Sequence, residues 1–169
     1  MNFFYPDYYF DDIYQAPAEL FLENGIKGII FDIDNTLAPY EMEKPDEKLT
    51  KYLYSLTDAG IKIAFVSNNH KERVEAFNIF GCYGAYDAAK PACGAIKRAM
   101  KEMGTDKNTT ALCGDQIFTD VFAGKRLGLF CVLVKPIKDK TTLFFRTKRF
   151  LEKPILKSYL KKRGDTYQR

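Results

Sequence analysis

One stretch of the chain decides the fold: Gly28-Ile29-Ile30-Phe31-Asp32-Ile33-Asp34-Asn35-Thr36-Leu37. Its apolar, β-branched start is short and lies between Gly25 and Pro39, which is typical of a strand buried on both faces. Asp32 and Asp34 follow at the carboxyl end of this strand, where ligands bind in parallel α/β sheets. Because they are two residues apart, their side chains would share a direction if the strand continued. Two carboxylates placed in this way suit a hard cation such as Mg²⁺.

Apolar runs alternate with amphipathic segments along the rest of the chain. Further strands are predicted at residues 61–66, 109–113 and 130–134, and helices at about residues 45–59, 70–79, 91–103 and 119–126. Leu49, Leu53 and Leu56 form the predicted buried stripe of the first of these helices. The alternation predicts an α/β fold with a parallel, doubly wound sheet.

Polar residues also follow the other predicted strands. Ser67 follows the second strand, Asp115 follows the third, and Lys90 lies at the start of the helix between them. Each residue alone has an ordinary explanation, such as a turn, a helix cap or a solvated lysine. Together with Asp32 and Asp34 they fall on one edge of the sheet, which indicates a functional site.

The composition is that of an ordinary globular domain. The chain has 169 residues, enough for one domain with its own core. The four cysteines show no CxxC spacing and the only histidine is His70, so zinc is not expected. Arg73 and Arg126 are interpreted as solvated residues, although either could reach an anionic substrate. The N-terminus lacks the features of a signal peptide and no stretch is long enough to span a membrane, so we expect a cytoplasmic protein.

Charge is distributed unevenly along the chain. Residues 135–169 contain 12 Lys and Arg against 3 acidic residues, a balance of +9; since the whole chain carries +4, residues 1–134 carry −5. A basic tail indicates an anionic partner, either a membrane surface or nucleic acid, and no module that reads nucleic acid is recognisable. The tail alternates apolar and basic residues, so it would lie on an anionic membrane, pack on the domain, or both. Pro154 is expected to divide it into two short helices.

Four motifs, in this order, resemble those of haloacid-dehalogenase-like (HAD) phosphohydrolases. They are Asp32-Ile33-Asp34-Asn35-Thr36-Leu37, Ser67-Asn68-Asn69, Lys90-Pro91 and Gly114-Asp115-Gln116-Ile117-Phe118-Thr119-Asp120. The resemblance covers most of residues 28–134 and implies a Rossmann-like, three-layer α/β/α fold with a parallel sheet. The short spacings between motifs leave no room for a cap domain.

The same resemblance implies a phosphomonoester hydrolase. Asp32 would be the nucleophile that forms an aspartyl-phosphate, and Asp34 would protonate the leaving alcohol and then activate water. Mg²⁺ would be held by Asp32, by the main-chain carbonyl of Asp34 and by the side chain of Asp115. Lys90 would be a second catalytic cation beside the phosphate.

The resemblance also implies supporting roles. Ser67 and the backbone N–H of Asn68, together with Lys90, would bind the phosphoryl oxygens. Asp120 would orient Lys90, with an exposed carboxylate at a helix start as the plainer alternative interpretation. Thr36 would cap the turn after the strand or hydrogen-bond Asp34.

Within this superfamily the chain resembles the capless subgroup IIIA of bacterial YqeG-like proteins, which is related to mitochondrial phosphatidylglycerophosphate phosphatases. Tyr8-Tyr9, the lead-in Gly25-Ile26-Lys27-Gly28 and Ser67-Asn68-Asn69 carry this resemblance. It implies hydrolysis of phosphatidylglycerophosphate to phosphatidylglycerol, with the protein held peripherally at the inner face of the membrane. Two alternatives stay open: a phosphatase for phosphoproteins or small metabolites, and a non-enzymatic membrane- or nucleic-acid-binding adaptor.

Three parts of the chain are predicted. Residues 1–27 form an aromatic-rich segment that packs on the core, or else rests at a membrane interface. Residues 28–140 form the HAD phosphatase core. Residues 141–169 form the basic amphipathic C-terminal segment.

Overall fold

The computed structural model describes residues 2–138 and 143–163. Its strands are β1 (Tyr8–Phe10), β2 (Gly28–Phe31), β3 (Lys62–Val66), β4 (Gly84–Ala85), β5 (Thr110–Gly114) and β6 (Phe130–Val134). Its helices are α1 (Ala18–Glu23), α2 (Glu47–Asp58), α3 (Lys71–Phe77), α4 (Gly94–Met103), α5 (Phe122–Leu127) and α6 (Leu143–Arg163). A short 3-10 helix (Ile13–Gln15) precedes α1, and a π-helical turn (Ile117–Val121) precedes α5.

All six strands pair in parallel, in the order β1-β6-β5-β2-β3-β4. β2 is central and every one of its residues is buried, as its apolar sequence predicts. Phe31, the last residue of β2, lies opposite Phe65 of β3 and Cys113 of β5. The carboxyl ends of these three strands therefore meet at one edge, and the predicted parallel α/β fold is confirmed.

Helices cover both faces of the sheet because alternate strand residues point to opposite sides. On one face, Phe31 and Phe65 pack with apolar residues of α1, α2 and α3. On the other face, Ile30 and Leu112 pack with apolar residues of α4 and α5. The result is the three-layer arrangement that the sequence predicts.

The connections between the central strands are short. Between β2 and β3 lie one loop and α2, which begins after Asp46, whose Oδ1 accepts the backbone N–H of Leu49 at 2.7 Å. Between β3 and β4 lies only α3. Residues 32–90, all of which the structure describes, therefore contain no cap domain, and the edge of the sheet opens to solvent.

The N-terminal segment contributes a strand that the sequence did not indicate. β1 extends the sheet beside β6, with Tyr8 opposite Val132, and Phe4 stacks on Phe122 with ring centroids 5.0 Å apart. A strand of three residues is too short to show a periodic pattern, and its pairing depends on β6. The predicted division of the chain at residue 27 stays a prediction.

Helix α6 runs without interruption through Pro154, so the prediction of two short helices was wrong. Pro154 lies on the exposed side of the helix. Glu152 and Tyr159, on either side of it, are buried against the domain. These contacts hold both halves in line although the proline removes one backbone hydrogen bond.

The inner side of α6 packs on the end of the sheet. Ile155 and Leu156 contact an apolar cluster of Ile117, Val121 and Leu133. The predicted boundary at residues 140–141 and the tail residues 164–169 lie outside the described residues. Within the described ranges, no helix has both the length and the apolar character needed to cross a membrane.

Candidate active site

β2 ends in a tight turn that brings both aspartates to the edge of the sheet. Asn35 adopts a left-handed backbone conformation with φ of 64°, which Asn tolerates better than most side chains. Thr36 then donates from Oγ1 to Asp32 Oδ2 at 3.3 Å. The proposed hydrogen bond from Thr36 to Asp34 is therefore replaced by one to Asp32.

A cavity of about 550 Å³ lies at this edge. It is lined by the loops that follow β2, β3 and β4, by the loop and π-helical turn that follow β5, and by one side chain of α6. The lining residues are Asp32, Asp34, Tyr40, Ser67, Asn68, Asn69, Lys90, Gln116, Thr119, Asp120 and Lys148.

A buried lysine joins two carboxylates in this cavity. Lys90 Nζ lies 2.6 Å from Asp32 Oδ1 and 2.7 Å from Asp120 Oδ1. We call Asp32, Lys90 and Asp120 the Lys90 cluster. Gly114 makes room for it, because a Cβ at that position would lie 2.3 Å from the Asp120 side chain. The exposed carboxylate that was the plainer interpretation of Asp120 is thus excluded, since Asp120 is buried.

Burial dominates the electrostatics of this cluster. It raises the pKa of Asp32 to about 6, although the charge of Lys90 opposes the shift. Burial alone would lower the pKa of Lys90, but the charges of Asp120 and Asp32 outweigh it and raise that pKa above its ordinary value. Lys90 therefore stays charged, and two carboxylates share a single buried cation.

Asp34 is held by a different set of donors. Asn69 Nδ2 donates to Asp34 Oδ2 at 2.8 Å, and Arg73 Nε donates to Asp34 Oδ1 at 3.0 Å. Arg73 also donates to the carbonyl oxygens of Met42 and Pro39, so it ties the loop after β2 to this carboxylate. The interpretation of Arg73 as a solvated residue was wrong: its side chain is only 11% exposed.

The loop after β3 organises the neighbouring backbone. Ser67 Oγ accepts the N–H of Asn69 at 3.1 Å, which leaves its hydroxyl proton for another acceptor. The side chain of Asn68 brackets the backbone of Lys90: Oδ1 accepts its N–H at 2.7 Å and Nδ2 donates to its carbonyl at 3.2 Å. Asn68 therefore positions Lys90, a contact that the sequence interpretation did not include.

A second, partly buried cation comes from α6. Arg149 donates to the Asp115 carboxylate, to the Asp115 carbonyl at 2.7 Å and to Glu152 Oε2 at 2.9 Å. Glu152 Oε1 in turn accepts the N–H of Ile117 at 2.8 Å. We call Asp115, Arg149 and Glu152 the Arg149 cluster. It fixes the loop after β5, and with it the predicted metal ligand Asp115, to the C-terminal helix.

The carboxylates suit a divalent cation. Oxygens of Asp32, Asp115 and Asp120 lie within 4.8 Å of one another, and all three residues are buried. Burial raises the pKa of Asp115 to about 8 even though Arg149 opposes the shift. Burial, together with the neighbouring carboxylates, disfavours the ionised form of Asp32 and Asp115, and Mg²⁺ with its preference for oxygen ligands would favour it. Asp34 directs its side chain elsewhere, and its predicted main-chain contact with the metal stays a prediction.

The structure places every predicted residue at or beside the cavity. Asp32, Asp34, Ser67, Asn68, Lys90 and Asp120 line it, Thr36 supports Asp32, and Asp115 lies next to it beneath Arg149. His70 lies on the surface beside Asp87.

Sequence reasoning missed a second group of residues. Tyr40 and Gln116 lie a few residues after motif aspartates, and this closeness in the sequence could have indicated that they line the cavity. Lys148, Arg149 and Glu152 lie far from any motif, and nothing in the sequence distinguished them from the other charged residues of the tail.

Comparisons with known proteins agree with this geometry. A HAD-hydrolase-like family model matches residues 87–142. The chain is 36% identical over 164 residues to the probable phosphatase YqeG of Bacillus subtilis, covering 96% of this chain and 95% of that protein. It is 29% identical to the chloroplastic/mitochondrial phosphatidylglycerophosphate phosphatase 1 of Arabidopsis thaliana over 89% of this chain but only 47% of that protein.

A solved structure agrees at the level of the fold. An uncharacterised protein from Listeria monocytogenes superposes with a TM-score of 0.52 at 14% identity, covering 69% of this chain and 85% of that one. The nearly full-length match to YqeG decides the family. The chain therefore belongs to the YqeG-like family of HAD-type phosphatases.

Proposed function

We propose that the protein is a Mg²⁺-dependent phosphomonoester hydrolase that works through an aspartyl-phosphate on Asp32. The observation that carries the proposal is the position of Asp32 in the open cavity, paired with Lys90 and close to the carboxylates of Asp115 and Asp120. A buried nucleophilic carboxylate among groups that bind cations is what phosphoryl transfer requires.

In the first step, a carboxylate oxygen of Asp32 attacks phosphorus and the bond from phosphorus to the ester oxygen breaks. Asp34, oriented by Asn69 and Arg73, gives its proton to the departing alcohol. The product of this step is an acyl phosphate on Asp32 and a free alcohol.

In the second step, Asp34 takes a proton from water, and the water oxygen attacks the phosphorus of the acyl phosphate. The bond between phosphorus and the Asp32 oxygen breaks, releasing inorganic phosphate and restoring the carboxylate. Lys90 and the Ser67 hydroxyl, with the backbone N–H of Asn68, bind the phosphoryl oxygens throughout.

Asp32, Asp115 and the Asp34 carbonyl would hold the metal. When bound, Mg²⁺ supplies positive charge between the anionic nucleophile and the anionic phosphate.

The proposed substrate is phosphatidylglycerophosphate, which would yield phosphatidylglycerol. Its support is the Arabidopsis relative and the absence of a cap over residues 32–90, which leaves room for a phosphate carried on a membrane lipid. The same openness favours the second candidate, hydrolysis of phosphoproteins or small phosphorylated metabolites. A non-enzymatic adaptor is less well supported, because Asp32, Asp34 and Lys90 are arranged together in the cavity.

The outer face of α6 supports a lipid substrate. Phe150, Leu151 and Leu160 are 70%, 53% and 46% exposed, and they share this face with Lys153 and Lys157. An apolar strip flanked by lysines suits the headgroup region of an anionic bilayer, where each basic residue contributes about 1 kcal/mol. We propose that this face holds the protein peripherally on the membrane.

Phosphate release tests the proposed activity. The assay uses phosphatidylglycerophosphate in mixed micelles with Mg²⁺ and, in parallel, soluble phosphate esters. Asp32→Asn should abolish release, whereas Asp58→Asn, an exposed carboxylate of α2, should not. Turnover of the lipid far above the soluble esters supports the lipid assignment. Turnover of soluble esters alone supports the second candidate, and no release from any substrate contradicts the proposed activity.

Vesicle binding tests the membrane contact separately. Phe150→Asp with Leu151→Asp should abolish sedimentation with phosphatidylglycerol-containing vesicles, while Leu22→Asp, at 49% exposure on α1, should not. Equal binding by all variants would contradict the proposed contact.

A further inference from the structure

Lys148, on the inner face of α6, lines the catalytic cavity. Lys148 lines the cavity together with Gln116 and Thr119, on the side that belongs to α6 and the loop after β5. The facing side carries Ser67 and Asn68. The cavity therefore contains a basic group contributed from outside the four motifs.

The environment of Lys148 is unusual for a partly buried cation. Its Nζ donates to the side-chain oxygen of Gln116, a neutral amide, and within the described residues no carboxylate lies at ion-pair distance from it. Burial lowers the pKa of Lys148, with Glu152 opposing the shift. A cation that is partly removed from water without a charged partner gains more from an incoming anion than a solvated lysine does.

Lys90 cannot supply the same contact. Its Nζ is already shared between Asp32 and Asp120 in the Lys90 cluster, where the phosphoryl group reacts. Arg149 is likewise occupied by Asp115 and Glu152. Lys148 is thus the cation of the cavity whose described partner is uncharged.

We propose that Lys148 binds a second anionic group of the substrate and thereby determines specificity. The group that fits is a phosphodiester joined through a short polyol to the phosphomonoester that is hydrolysed. This inference rests on the proposed function, since it assigns one wall of the same cavity. It predicts a preference for esters that carry two phosphates over esters with one.

A matched pair of soluble substrates isolates this contact from membrane binding. One is glycerol 3-phosphate; the other is the deacylated lipid headgroup, in which the same phosphoglycerol is joined by a phosphodiester to a second glycerol. For Lys148→Gln we expect KM to rise about tenfold for the two-phosphate ester, with kcat unchanged. Neither parameter should change for glycerol 3-phosphate.

Two further variants separate charge recognition from a structural effect. Lys148→Arg should recover most of the lost affinity, because it keeps the charge. Lys161→Gln removes an equal charge from an exposed position of the same helix and should leave both substrates unaffected. Equal losses for both esters in Lys148→Gln, or no loss for either, would overturn the inference.

Binding measurements keep the inference testable if the wild type hydrolyses neither ester, which would contradict the proposed activity. In an Asp32→Asn background, calorimetry with both esters should show about tenfold weaker binding of the two-phosphate ester when Lys148→Gln is added. Identical dissociation constants with and without Lys148→Gln would overturn the role of Lys148.

Discussion

The Lys90 cluster and the Arg149 cluster are built alike but come from different parts of the chain. In each, one cation joins two carboxylates: Lys90 joins Asp32 and Asp120, and Arg149 joins Asp115 and Glu152. The first is formed by loops at the edge of the central sheet. The second depends on α6, which docks on that edge from outside the motif-bearing region.

The difference in burial suggests different tasks. The Lys90 side chain is 2% exposed and contacts the proposed nucleophile Asp32, whereas Arg149 is 18% exposed and covers the proposed metal ligand Asp115. In the proposed mechanism Lys90 belongs to the reacting centre. Arg149 holds Asp115 in place and partly offsets the charge that Mg²⁺ would neutralise. The catalytic edge is therefore completed by the C-terminal helix.

The largest effect is expected for Lys90→Met. It leaves Asp32 and Asp120 buried without their cation, which should cost about 3–5 kcal/mol in the free energy of unfolding and abolish phosphate release. Urea denaturation measures the first quantity. Lys51→Met, which removes an exposed pair with Glu47 on α2, should cost less than about 0.5 kcal/mol. Similar losses in the free energy of unfolding for both variants would contradict a particular contribution of the Lys90 cluster to stability.

Gly114→Ala should come next. The added Cβ would meet the Asp120 side chain and force it away from Lys90, which should cost about 2 kcal/mol of stability. Gly94→Ala is the matched control, because nothing lies within 4 Å of a Cβ at that position. A Gly114→Ala variant with unchanged urea midpoint and activity would contradict the close approach.

Arg149→Met should lower the free energy of unfolding by a smaller amount, about 1–2 kcal/mol, because the Arg149 side chain is 18% exposed and water can partly replace it. Here Mg²⁺ should restore stability, since it supplies positive charge beside Asp115. Thermal denaturation with and without Mg²⁺ measures this, with the exposed Arg146→Met as control. A loss that Mg²⁺ does not reverse would separate the Arg149 cluster from the metal site.

The last prediction needs no mutation. In the metal-free protein the pKa of Asp115 is raised to about 8, so the folded state binds the proton more tightly than the unfolded state. That stabilisation is fully present below pH of about 4 and is lost as the pH rises through about 8. Mg²⁺ binding should show the opposite trend, because the metal needs the ionised carboxylate.

Proton competition at Asp115 should therefore weaken the affinity for Mg²⁺ by up to about tenfold for each pH unit below about 8. This dependence is measured by titrating Mg²⁺ at pH 6, 7 and 8, with the melting temperature of the protein as the readout. If the Mg²⁺ concentration needed to raise the melting temperature were the same at all three pH values, the assignment of Asp115 as a metal ligand would be contradicted.

The sequence predicts the Lys90 cluster better than the Arg149 cluster. Asp32 directly follows the apolar strand β2, so its position in the chain implied its position at the edge of the sheet. Lys90 and Asp120 lie beyond the ends of β4 and β5, and the resemblance of their motifs to those of HAD phosphohydrolases predicted them beside Asp32. The buried stripe of Leu49, Leu53 and Leu56 was likewise predicted and confirmed.

Some residues reach the site only because segments that are distant in the sequence pack together. The sequence did not indicate the positions of these residues. Arg149 and Lys148 lie in a basic tail that resembles a solvated surface, and only the packing of Tyr159 and Leu156 on the domain turns them inward. Arg73 is similar, because its partner Asp34 is 39 residues away in the chain. The short strand β1 forms only because β6 offers a free edge.

The most direct test of the account is to trap the phosphorylated enzyme. The protein is mixed with substrate and Mg²⁺, quenched, and treated with borohydride, which reduces an aspartyl-phosphate to homoserine that mass spectrometry can locate. The account predicts this modification at position 32, only when substrate and Mg²⁺ are both present, and no modification of the Asp32→Asn variant. Modification of another residue, or phosphate release by Asp32→Asn at the wild-type rate, would contradict it.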